Sequence, residues 1–135
     1  FFDYDHDGDL DVFIMNQPPN PGDFSPLANT ELLLVEYSPR LMENRGDTFI
    51  DVTKKAGLLM PCFPNSAIAC DLNNDGWTDL WIANDYWVRD FIYINNGDGT
   101  FTDKASMPAT SITMDCPIFS CLIWSQRTIS GARAT

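Results

Sequence analysis

Short apolar runs alternate along this chain with stretches rich in Asp, Asn and Gly. The runs Val12-Phe13-Ile14-Met15 and Leu80-Trp81-Ile82-Ala83 are β-branched, aromatic and only four residues long. That composition and length suit buried strands rather than helices. Two further segments read as strand, polar turn, strand. The earlier is Leu41 to Thr53 with its turn at Arg45-Gly46-Asp47, and the later is Tyr93 to Lys104 with its turn at Asn96-Gly97-Asp98-Gly99. Gly, Asn and Asp favour tight reversals, so each segment predicts a β-hairpin. The connection before the earlier hairpin is longer, and Pro18-Pro19-Asn20-Pro21-Gly22 marks it as a surface loop.

The pattern repeats. Asp11-Val12-Phe13-Ile14 aligns with Asp79-Leu80-Trp81-Ile82 at an offset of 68 residues. Each unit is an acidic loop, a strand, a connection and a hairpin. Short strands recurring at a period of about sixty residues predict an all-β chain, an incomplete β-propeller of about two four-stranded antiparallel blades. The first repeat is expected at about residues 1–58 and the second at about 65–106. A blade cannot bury both faces alone, so two blades imply a piece of a larger ring.

The acidic loops carry the candidate chemistry. The first is Asp3-Tyr4-Asp5-His6-Asp7-Gly8-Asp9-Leu10-Asp11 and the second Asp71-Leu72-Asn73-Asn74-Asp75-Gly76-Trp77-Thr78-Asp79. Both read D-x-[DN]-x-D-G-x-x-D. Calcium takes six to eight oxygens at about 2.3–2.6 Å, and a tightly coiled loop can converge side chains from positions 1, 3, 5 and 9 upon it. Glycine at position 6 admits the sharp turn. The backbone carbonyl at position 7, Asp9 or Trp77, is expected to add a ligand. An EF-hand would need an acid at position 12 and a helix after it. Position 12 is Ile14 or Ile82, and a strand is expected there. Zinc is disfavoured, because neither loop has a sulfur ligand and His6 is the chain's one imidazole. The competing reading, solvated acidic turns, must explain two copies with one ligand spacing.

Charge then falls into place. The net charge is −11, and eight of the 19 acidic residues lie in the two loops. No basic patch exists, which argues against nucleic acid. No apolar run is long enough to insert into a membrane. Cys62 and Cys70 are open to either reading, a disulfide or two free thiols, and no C-x-x-C pair marks a zinc or redox site.

At the stretches DYDHDGDLDVFIMN, ENRGDTFIDVTKKAGL, ACDLNNDGWTDLWIAND and YINNGDGTFTDKAS the chain resembles the FG-GAP/VCBS repeat family of calcium-binding β-propellers. Integrin α-subunit blades are relatives, and the T-F-x-D-V-T-x-x-A-G-L stretch is similar to propellers that precede an ASPIC/UnbV module. The resemblance implies Ca²⁺ held by Asp3, Asp5, Asp7, Asp9 and Asp11, and by Asp71, Asn73, Asp75, Trp77 and Asp79. It also implies an extracellular or cell-envelope location. The expected function is a non-enzymatic adhesion or ligand-binding scaffold whose partner is a protein or a carbohydrate. The alternatives are the propeller portion of an enzyme, or a carbohydrate-recognition module using Trp77, Trp81, Tyr86 and Trp87. His6 has no placed Ser or Cys partner for a triad, and Arg45-Gly46-Asp47 occupies a hairpin turn, so its RGD sequence is read as structural.

From Met107 onward the pattern disappears. Shifting residues 107–135 by one base allows D-I-N-N-D-G-L-P-D followed by I-F-V-L, a third copy of the loop and strand. The tail is therefore expected to be a frameshift product.

Overall fold

A computed structural model of the chain describes residues 1–16, 36–85 and 88–104. Seven strands form two antiparallel sheets. β1 (Val12–Ile14), β2 (Arg40–Asn44) and β3 (Phe49–Asp51) form the first, in the order β1-β2-β3. β4 (Pro64–Cys70), β5 (Asp79–Asn84), β6 (Phe91–Asn95) and β7 (Phe101–Asp103) form the second, in the order β4-β5-β6-β7. Within each sheet, strands that are neighbours in sequence are neighbours in space, as in a propeller blade. Both predicted hairpins are present: Asn44 faces Phe49 across one turn, and Asn95 faces Phe101 across the other.

The two sheets differ in one strand. In the second, β4 enters the acidic loop and pairs with β5 from Pro64↔Asn84 to Cys70↔Asp79. In the first, the single bridge Phe2↔Asp11 holds the corresponding place. The consequence is visible in burial. β5 is buried or half-buried throughout, whereas Ile14 at the end of β1 and Met15 beyond it are each 46% exposed. Strand formation after both loops agrees with expectation, but the first strand is shorter and wetter than its apolar run suggests. Among the described residues β1 pairs along one edge only, with β2.

One core joins the sheets. Phe2, Tyr4 and Leu41 pack with Val52, Ala56, Leu58 and Cys62, and with Leu80, Ile82, Phe91, Tyr93 and Phe101. Each fully buried leucine or phenylalanine contributes roughly 1.5–3 kcal/mol. The segment after β3 makes the junction. Thr53 Oγ1 bonds Asp51 at 2.6 Å and accepts the Leu41 amide at 3.0 Å, which turns the chain beneath β2. The Ala56 carbonyl then accepts the Phe101 amide at 2.9 Å, fixing one sheet to the edge strand of the other.

Cys62 is buried and Cys70 half-buried, and burial pushes the Cys62 thiol up to about 12. A disulfide between them is not formed. The Pro18–Gly22 connection, Tyr86, Trp87 and residues 107–135 lie outside the described residues.

Candidate metal centre

Each loop coils through one left-handed residue at position 4 and a glycine at position 6. His6 and Asn74 have φ of 60° and 62°, and Gly8 and Gly76 have 92° and 90°. The glycines were legible in the motif. The residues at position 4 were not, although Asn and His are among the side chains most tolerant of that region.

The same hydrogen bonds close both loops. Position 1 accepts the glycine amide: Gly8 to Asp3 Oδ2 at 3.1 Å, Gly76 to Asp71 Oδ2 at 2.8 Å. Position 3 accepts from position 5: Asp7 to Asp5 at 3.4 Å, Asp75 to Asn73 at 3.0 Å. Position 5 accepts from position 7: Asp9 to Asp7 at 2.9 Å, Trp77 to Asp75 at 2.8 Å. These local bonds hold the coil of each loop.

Position 9 does something different. Asp11 and Asp79 are both 0% exposed. Asp11 Oδ2 accepts the Tyr4 amide at 3.0 Å and Oδ1 the Asn44 amide at 2.9 Å. Asp79 Oδ2 accepts the Leu72 amide and Oδ1 the Asn95 amide, both at 2.8 Å. Each carboxylate thus staples its own loop to the start of the following hairpin turn. Burial pushes the Asp79 carboxyl up, while the Asn95 and Leu72 amides hold it down. Loop spacing alone suggested a ligand that closes the shell; the buried staple was missed. Its signal was an acid at a fixed place in a run that otherwise enters the core.

The loops diverge at their ligand oxygens. Asp3, Asp5 and Asp11 bring one carboxylate oxygen each within 4.8 Å of one another. Asp3 Oδ1 is buried and has no hydrogen-bond partner. Burial first, then the nearby Asp7 charge, pushes the Asp5 carboxyl above its ordinary range. An orphaned acceptor among crowded carboxylates fits a hard cation, which supplies both charge compensation and the missing partner. Asp7 and Asp9 are exposed and stand outside that triad. In the second loop Asp71 Oδ1 instead accepts the Asn74 amide at 2.7 Å, and Asn73 Nδ2 donates to Asp75 Oδ2 at 2.7 Å. Among the described residues Asp71, Asp75 and Asp79 form no such triad.

Beside the first loop lies Glu43, 2% exposed, which was not foreseen as part of the site's surroundings. It accepts the Tyr4 hydroxyl at 3.2 Å and pairs with Arg45. Burial and then the Glu43 charge raise the Tyr4 phenol well above its ordinary range, so it remains a neutral donor. Arg45 is therefore turned back towards its own strand, and Gly46 completes the turn by donating to Asn44 Oδ1 at 2.9 Å.

Trp77 is enclosed. Its indole stacks on His6 with ring centroids 4.1 Å apart and planes 10° from parallel. It also lies against Gly97, where a Cβ would fall 2.8 Å from Cε2. Gly97 has φ of 74° as well. Gly97→Ala is thus expected to cost about 2–3 kcal/mol, combining left-handed strain with overpacking. Equilibrium urea unfolding measures it, and a cost under ~0.5 kcal/mol would show that neither the left-handed backbone nor the indole contact constrains this position.

The FG-GAP-like repeat family matches residues 3–82 and 71–117. No curated protein and no solved structure matches the chain. The family match spans both loops, both sheets and most of the sequence, and with two antiparallel sheets arranged as propeller blades the chain belongs to the FG-GAP-like repeat family.

Proposed function

We propose that this chain is a non-enzymatic, calcium-stabilised propeller module serving as an adhesion or ligand-binding scaffold outside the cytoplasm. The observation that carries the metal reading is the Asp3, Asp5 and Asp11 triad with its unpartnered, buried Asp3 oxygen. Asp3 and Asp5 hold the ion in the first loop, with Asp11 lending an oxygen lone pair not used by its amides and Asp7 and the Asp9 carbonyl within the same coil. Asp71, Asn73, Asp75, the Trp77 carbonyl and Asp79 are the matching set in the second, once their oxygens exchange neighbouring amides for the ion. Calcium there offsets carboxylate repulsion and ties the loop to the blade edge.

The scaffold reading rests on the family, whose repeats form ligand-binding propellers, and on loops whose polar groups serve structure. No helix among the described residues is long and apolar enough to cross a membrane. The carbohydrate alternative draws less support, because the Trp77 ring is already covered by His6 and Gly97.

Calcium titration by calorimetry, paired with thermal melts, tests the metal reading. A ligand specific for the native state stabilises by about 2.7 kcal/mol at a hundredfold excess over Kd. Chelation is expected to lower Tm accordingly. Asp3→Asn and Asp75→Asn, which keep an acceptor oxygen for the loop amides, are each expected to reduce the calcium-dependent part of Tm while changing the chelated melt little. Identical melts with calcium and with chelator, and no heat of binding, would refute a structural ion.

A further inference from the structure

We infer that the two cation loops are coupled through the His6–Trp77 stack, so that calcium at one loop raises affinity at the other. This rests on the calcium reading above and adds a regulatory property to it.

His6 is position 4 of the first loop, between Asp5 and Asp7. Trp77 is position 7 of the second, directly after Gly76. The rings therefore belong to two different sites, and they meet at 4.1 Å with nearly parallel planes. Each ring extends from a backbone position set by its own loop. The left-handed backbone of His6 is shared with Asn74, so it is a property of the coil and carries the imidazole with it. The Trp77 amide is held by Asp75, and its indole rests against Gly97. Ordering either loop thus places one half of the stack where the other half can meet it. A ligand that orders one partner lowers the ordering cost left for the next, and the effect is reciprocal.

A buried hydrogen-bond chain runs alongside. Asp79 accepts the Asn95 amide at 2.8 Å, Asn95 Nδ2 donates to the Tyr4 carbonyl at 2.8 Å, and the Tyr4 amide donates to Asp11 at 3.0 Å. This chain connects position 9 of one loop to position 9 of the other without solvent-exposed links. It fixes the spacing of the loops, and the stack of exposed His6 on half-buried Trp77 is a second contact between them.

The test uses the full chain and calcium ions alone. Asp71→Asn disables the second loop, and calorimetry then reads the affinity of the first. Asp3→Asn provides the reciprocal measurement. Removing a negative charge also weakens the distant site directly, so each measurement is repeated in a His6→Asn background. Asparagine tolerates the left-handed backbone and carries no ring, and the charge change is identical. Aromatic pairs of this kind support a coupling of about two- to tenfold in affinity. The loss of affinity on disabling one loop is expected to exceed that in the His6→Asn background by this factor, equally in both directions. Equal losses in the two backgrounds would overturn the coupling while leaving calcium binding intact. No calcium heat in the unsubstituted chain would overturn the metal reading, and the coupling with it.

Discussion

Asp79→Ala is expected to destabilise the chain by about 3–4 kcal/mol, with chelator present as well as absent. The carboxylate is completely buried, and both its oxygens accept backbone amides at 2.8 Å. Alanine leaves the Leu72 and Asn95 amides without acceptors. A buried donor left unsatisfied costs about 1–3 kcal/mol. Removing a carboxyl whose charged form burial disfavours returns a small part of that. Asp79→Asn keeps one acceptor oxygen but turns an amino group towards the other amide, so an intermediate loss is expected. Exposed Asp75 supplies the contrast, since Asp75→Asn keeps an acceptor for the Trp77 amide and is expected to act mainly on the calcium response. Urea unfolding in chelator separates the two roles. An Asp79→Ala chain within about 1 kcal/mol of the parent would mean that water reaches those amides and the staple is dispensable.

That staple marks where reading residues in order stops being enough. The spacing of Asp, Asn and Gly disclosed both loops, and the apolar runs disclosed β1, β5 and the two hairpins, because these signals are local. Position 9 appeared as one more oxygen among several. Its burial depends on the Asn44 and Asn95 amides, which arrive from hairpins far along the chain. β4 was missed for a related reason. Pro64-Asn65-Ser66-Ala67-Ile68-Ala69-Cys70 begins with proline and has little β-branched alternation, so its own propensity is weak. Pairing with all of β5 makes it a strand. The stack of His6 on Trp77 has no local signal at all, since neither residue predicts its partner. Equal motifs also concealed unequal sites. Asp5 against Asn73 is a small difference on paper, yet only the first loop gathers three carboxylates and leaves an acceptor orphaned.

The junction between blades turns on Tyr4, and Tyr4→Ala is expected to cost about 4 kcal/mol. The side chain is 1% exposed and packs its ring on Phe101, with centroids 6.3 Å apart. Its hydroxyl reaches Glu43 across the first loop. Truncation leaves a cavity between the sheets and removes a donor from a buried carboxylate, although the Arg45 pair remains. The two backbone bonds of residue 4, to Asp11 and from Asn95, do not need the ring and are retained in the variant. The measured loss therefore reports the side chain. Tyr4→Phe divides it further: the ring stays, and only a hydrogen bond to a charged acceptor is lost, at about 1.5–3 kcal/mol. Because the ring belongs to the one core shared by both sheets, unfolding in urea is expected to remain a single transition with a lower midpoint. A Tyr4→Ala chain that keeps its midpoint, or that unfolds in two separate steps, would show that the sheets hold themselves together without this contact.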